Sequence, residues 1–163
     1  MNKIKDKTVE KLFTEIGSKS PTPGGGAAAA IAGAMAASLI EMVCVLTTSG
    51  SLRTEAGRAK KLRIKLMKLA DDDVAAFDAV MQAYKFKPKS KFKIKKALKR
   101  AMDVPQKVAE LSKEIEKMAW IAAKKGNKNA YSDARSAIHL ARASVASAME
   151  NVKINKKALV ALG

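Results

Sequence analysis

The stretch that most limits what this chain can become is residues 20–48. It begins Ser-Pro-Thr-Pro, passes through Gly24, Gly25 and Gly26, and is then almost wholly apolar to Thr47, with Glu41 its only charge. Pro21 and Pro23 stiffen the approach and turn the residues before them away from helix. The glycines let a ligand or a second helix come close to the main chain. A helix that is apolar all round has no solvent face, so other helices are expected to surround it. Its start, by contrast, offers amides without intrahelical acceptors and the positive end of the helix dipole, which suits an anionic or electron-rich ligand. The run is long enough to span a bilayer. Its content is mostly Ala and Gly, however, and Glu41 would sit deep in hydrocarbon, which favours the central helix of a soluble bundle.

The remaining sequence supplies the surrounding helices. At 163 residues, with aromatics at 4% and no internal repeat, the chain reads as one helical domain over residues 1–163. Val9, Leu12, Phe13 and Ile16 lie at helical spacing before Gly17, predicting a short amphipathic helix packed on the bundle. Ala29, Gly33 and Ala37 fall four apart on the central helix, so backbones can approach there, within the bundle or across a dimer seam. Residues 52–86 form one long helix with Ala59, Leu62, Leu66, Leu69, Ala76, Val80 and Tyr84 on its inner stripe. Residues 92–123 are helical again, and Pro105 should kink or split that segment. A turn at residues 126–129 leads to a last helix, N-capped by Ser132, with Ala134, Ile138, Ala141, Val145, Ala148 and Val152 inward. The fold class is therefore all-α: a single-domain antiparallel helical bundle with a long buried central helix.

Lys and Arg number 32 against 15 acids, a formal charge of +17 that implies an anionic partner or a host tolerant of extreme surfaces. The basic residues are spread over several helices and aromatics for base stacking are scarce, which disfavours nucleic-acid binding. The densest basic run, residues 85–100, is either a solvated face pinned by Phe92 or a set of flexible lysines, Lys89 and Lys91 among them, that steer a polyanionic substrate. Cys44 is alone, which fits a reducing compartment, the cytoplasm, and a small buried hydrophobe. His139 is the single histidine, and no metal site is expected.

One carboxylate falls on an inner stripe. Between Leu69 and Ala76 the helical repeat predicts a further inward position, and the residue there is Asp73. Asp71 and Asp72 are turned roughly 200° and 100° away, so they can be solvated. A core-facing carboxylate needs a partner or a shifted pKa. It is either an interhelical ion pair or helix cap, or a general acid or base poised nearer neutrality.

Four segments together resemble a known family: Pro-Thr-Pro-Gly-Gly-Gly at residues 21–26, Asp-Val-Ala-Ala-Phe at 73–77, Gly-Asn-Lys-Asn at 126–129 leading into Ser132-Asp133-Ala134, and Asn-Val-Lys-Ile-Asn at 151–155. In this order and spacing they resemble the cyclodeaminase/cyclohydrolase family. That family is found as the C-terminal domain of formiminotransferase-cyclodeaminase and as the stand-alone methenyltetrahydrofolate cyclohydrolase of serine-cycle bacteria. The resemblance covers nearly the whole chain. It implies a helical bundle that forms a homodimer with folate near the subunit seam, and no metal or permanently bound cofactor. The implied reaction forms 5,10-methenyltetrahydrofolate from 5-formiminotetrahydrofolate with loss of ammonia, or hydrolyses it to 10-formyltetrahydrofolate. The family's essential aspartate lies in the segment matching residues 71–77. On this basis Asp73 moves the protons, Gly24, Gly25 and Gly26 hold the folate by their amides, Asn129 and Asp133 orient the pterin, and Lys89 meets the substrate's anionic tail, polyglutamylated or not. The chain departs from the family pattern in three places: Ala27 stands where Ser is usual, Arg135 where Gly is usual, and residues 48–52 lack an aromatic. Two rival readings are a family member that binds another small anionic metabolite and a basic nucleic-acid-binding helical protein.

Overall fold

The computed structural model describes residues 3–48, 50, 52–88 and 90–163. The chain forms α1 (Val9–Ile16), α2 (Gly25–Val45), α3 (Arg53–Lys85), α4 (Lys91–Lys125) and α5 (Tyr131–Ala161), with 3-10 turns at Ile4–Asp6 and Lys128–Ala130. Among the described residues there is no strand. Helices α2 to α5 alternate in direction. Gly33 of α2 meets Leu66 of α3, Ser112 of α4 and Ser144 of α5 at one level, while Glu41 pairs with Arg63 nearer the other end.

The small residues of α2 explain its central place. A methyl group on Gly33 would stand 2.7 Å from Ser112 Oγ, 2.9 Å from Ser144 Oγ and 3.2 Å from Leu66 Cδ1. The two serines are fully buried and bonded to each other at 2.8 Å, and Ser144 Oγ donates to the Ala29 carbonyl at 2.6 Å. A buried hydroxyl without a partner would cost about 1–3 kcal/mol, so this contact ties α4 and α5 to the backbone of α2. Ala29, Ala37 and Ile40 are buried around it.

Several expectations are corrected. α2 is not enclosed on every side: Met35, Met42 and Leu46 are exposed along one face, Met35 by 53%, with Ile31 and Leu39 half-buried beside them at the edge of the core. Three helices cover only three sides of a fourth. By length and composition α2 could cross a membrane, and about half of it is buried inside the bundle. α1 buries only Leu12, leaving Val9 and Phe13 exposed, and Phe92 is exposed rather than pinned. Pro105 neither splits nor ends α4, which runs through it. α5 begins at Tyr131, so Ser132 lies inside its first turn, and the inner stripe takes in the fully buried Ser144 beside the half-buried Val145. The turn before α5 clamps the end of α2: Asn127 Nδ2 donates to the Leu46 carbonyl at 3.0 Å, and the Asn127 amide donates to Thr47 Oγ1 at 3.0 Å.

Replacing Gly33 by Val should lower stability by about 2–3 kcal/mol, because three flanking helices would have to move. Urea unfolding reads this directly, and a midpoint equal to wild type would mean that α2 does not pack as described.

Candidate active site

A cavity forms where α2 is missing. α2 starts level with Asp73 of α3 and Asn151 of α5, and the three longer helices run on past it. Only the loop of residues 21–24 enters the gap, leaving a cavity of about 350 Å³. Phe77, Val80, Tyr84, Leu98 and Ile154 make its apolar wall, and Asp73, Asn151, Asn155 and the glycines Gly24, Gly25 and Gly26 line the rest.

Asp73 sits against the first turn of α2. A methyl on Gly26 would fall 2.5 Å from its Cγ and 2.6 Å from Oδ2, so only glycine leaves room for the carboxylate. Burial raises the Asp73 pKa above the ordinary value of 3.8, and a hydrogen bond from the Ala27 backbone amide offsets part of that rise. The carboxyl is thus half-buried and easier to protonate than a surface aspartate. Asp71, two residues away, points elsewhere and accepts the Ile4 amide at 2.7 Å. The first amides of α2 have no intrahelical acceptors and carry the positive end of the dipole. The cavity therefore sets an electropositive rim of amides beside a carboxyl that burial makes easier to protonate.

Asp73 and the three glycines are brought together, as periodicity and the resemblance predict. Asn129 and Asp133 are not. They lie beyond the C-terminal end of α2, where their turn is clamped, about 30 Å from the glycine loop by the length of α2. Asn129 donates its backbone amide to Asn127 Oδ1 at 2.9 Å, and Asp133 lies in the first turn of α5. Within one chain they cannot orient a ligand held at Asp73. Lys89 falls outside the described residues. Its neighbours Lys87 and Lys91 are exposed at the α3–α4 turn, on the cavity end of the bundle.

Among the described residues, the side chains at the departures from the family pattern also lie away from the cavity lining. Ala27 is fully buried with its methyl in the core, so at that position the backbone amide, not a side chain, serves Asp73. Arg135 stacks its guanidinium over Trp120 at 5.2 Å, at the far end of the bundle. Thr48, Gly50 and Leu52 are also at that end, following α2.

Sequence reasoning gave Asn151 and Asn155 no role, although they line the cavity. The available signal was their position: continuing Ala141, Ser144 and Ala148 at helical spacing reaches both.

The raised pKa has a consequence for stability. Ionised Asp73 is disfavoured in the folded state, so its contribution is favourable below the unfolded value and is lost as pH rises through the folded pKa. Asp73→Asn should therefore be more stable than wild type at pH 7, with the gain shrinking as pH falls towards 3.8. Urea midpoints across this range test it, and a loss of stability at pH 7 would contradict the burial account.

With this geometry in hand, the relatives are informative. The formiminotransferase-cyclodeaminase family model matches residues 8–160. The methenyltetrahydrofolate cyclohydrolase of Methylorubrum extorquens is 41% identical over 169 residues, covering 94% of this chain and 81% of that protein. The formimidoyltransferase-cyclodeaminase of Mus musculus is 28% identical over 167 residues, covering 93% of this chain and 31% of its own length. Among solved structures, the formiminotetrahydrofolate cyclodeaminase of Thermotoga maritima superposes with a TM-score of 0.90 at 32% identity, over 96% of this chain and 81% of that one.

Proposed function

This chain belongs to the formiminotransferase-cyclodeaminase family, and from that premise we propose how its cavity performs folate one-carbon chemistry. The protein is an enzyme that forms 5,10-methenyltetrahydrofolate from 5-formiminotetrahydrofolate with release of ammonia, or hydrolyses it to 10-formyltetrahydrofolate. The higher identity of the cyclohydrolase relative favours hydrolysis. The observation that carries the mechanism is the half-buried Asp73 carboxyl with its raised pKa, set against Gly26 at the cavity floor.

In hydrolysis, water adds to the carbon joining N5 and N10, the bond from that carbon to N5 breaks, and one proton is lost. Asp73 as carboxylate takes the proton from the attacking water and passes it to the departing N5; the second water proton goes to solvent as the formyl group forms. In deamination, N10 attacks the formimino carbon and its proton passes to the formimino nitrogen; protonated Asp73 gives that nitrogen a second proton, and the carbon–nitrogen bond breaks to release ammonia and leave the 5,10-methenyl cation. A raised pKa serves both directions, because it makes the carboxyl easier to protonate for deamination and the carboxylate a stronger base for hydrolysis. The amides of Gly25 and Gly26 face the substrate's electron-rich groups, and the exposed lysines of the α3–α4 turn attract its carboxylate tail, whether or not it is polyglutamylated. The folate derivative is substrate, and we assign no resident cofactor. The lone buried Cys44, whose thiol burial pushes up, suits a cytoplasmic enzyme.

The bare apolar face of α2 supports a homodimer. If two copies pair antiparallel along Ile31, Met35, Leu39 and Met42, the start of one α2 lies near the end of the other. The partner's Asn129 and the partner's Asp133 would then come to the cavity end of the bundle, which gives them the approach to the pterin that one chain alone denies them.

Asp73→Asn should reduce turnover by about 10²–10⁴-fold in an assay that follows methenyltetrahydrofolate absorbance. Turnover equal to wild type would remove Asp73 from the mechanism. Met35→Glu should yield a monomer in light scattering and lose activity, whereas an intact dimer would place the seam elsewhere.

A further inference from the structure

We propose that Asn155 and Asn151 read the hydrogen-bond donors of the substrate's ring, and that Pro105 is the device that orients Asn155. In an α-helix the carbonyl of residue 101 would bond the amide of residue 105, but Pro105 has no N–H. That carbonyl is instead taken by Asn155 Nδ2 at 2.9 Å, and the same nitrogen also donates to the Asn151 carbonyl at 3.0 Å. Pro105 itself is buried. Asn151 Nδ2 donates to the Ser147 carbonyl at 3.0 Å.

These bonds settle which end of each amide faces which way. Only N–H can face a carbonyl, so Asn155 spends both of its N–H groups on backbone acceptors and Asn151 one of its two, its nitrogen lying beside Gly25, while neither Oδ1 has a protein partner among the described residues. Both residues line the cavity together with Asp73. This side of the cavity consequently offers two amide acceptors, with the spare N–H of Asn151 turned to the rim at Gly25. Two such acceptors beside an apolar wall of Phe77, Val80 and Leu98 suit a flat ring that carries N–H groups on one edge. On the folate reading, on which this inference rests, that edge is the exocyclic amine and adjoining ring N–H of the pterin. A single Oδ1 could serve many ligands, but two acceptors one helical turn apart beside a carboxyl define an edge. The proline thus has a job at the site: it releases a main-chain acceptor that holds Asn155 with its oxygen outward.

Asn155 also bridges α5 to α4, so a change there can act through structure alone. The experiment separates the two roles. Steady-state kinetics are compared for methenyltetrahydrofolate and for its 2-desamino-2-methyl analogue, in wild type, Asn151→Ala, Asn155→Ala and the double variant Pro105→Ala/Asn155→Ala. In the double variant a helix N–H again reaches the carbonyl of residue 101, so the melting temperature lost in Asn155→Ala should recover. KM for the natural substrate should rise about tenfold in Asn155→Ala and stay high in the double variant, with kcat little changed, as for lost ground-state binding. At least one of the two asparagine variants should lose most of its KM penalty on the analogue. Recovery of KM together with stability in the double variant, or equal penalties on both substrates for both asparagines, overturns the assignment and leaves Asn155 a helix bridge. Wild-type protein that turns over neither compound overturns the folate reading, and this assignment with it.

Discussion

Three helices lean directly on the backbone of α2, and that closeness holds the molecule together and makes its site. Gly33 and Gly26 allow it, because a side chain at either would strike neighbouring polar atoms. Those atoms are not apolar filler. Ser144 needs the Ala29 carbonyl, and Asp73 draws on the Ala27 amide. Polar groups stay on otherwise apolar stripes because α2 keeps its main chain open to them. Larger residues on α2 would bury more apolar surface and leave those groups unpaired, at about 1–3 kcal/mol each.

The length of α2 matters as much as its composition. It has 21 residues where α3, α4 and α5 have 33, 35 and 31, so the bundle narrows to three helices beyond its start. The cavity occupies the vacated place, and its floor is the helix N-terminus that ends there. Two opposed effects then act on Asp73. Loss of water raises its pKa, and the α2 amide lowers it, with burial the larger.

Periodicity alone reaches Asp73, because a stripe of small and branched residues leaves one inward slot and the sequence puts a carboxylate in it. The same reasoning finds the bundle, the extent of α3 and the close approach at Gly33. It stops where tertiary structure reverses a local rule. Pro105 reads as a break, and only the position of Asn155 on α5 shows that the freed carbonyl is used. Asn129 and Asp133 carry a motif but no sign of which end of the bundle they occupy, since that depends on the direction of α5 relative to α2. Ala27 looks like a missing hydroxyl in the site, yet its side chain points into the core. The bare face of α2 was hidden for a related reason: an all-apolar helix gives no hint of which side its neighbours leave open.

Asp73 is a carboxyl held at the start of α2 in a setting that makes it protonate more readily than an ordinary aspartate. Titrating its carboxyl carbon by 13C NMR, assigned by comparison with Asp73→Asn, tests this directly. A midpoint above 3.8 is expected. A midpoint at or below that value would contradict it, because the dipole and the Ala27 amide would then outweigh burial and Asp73 would stay ionised throughout the cycle.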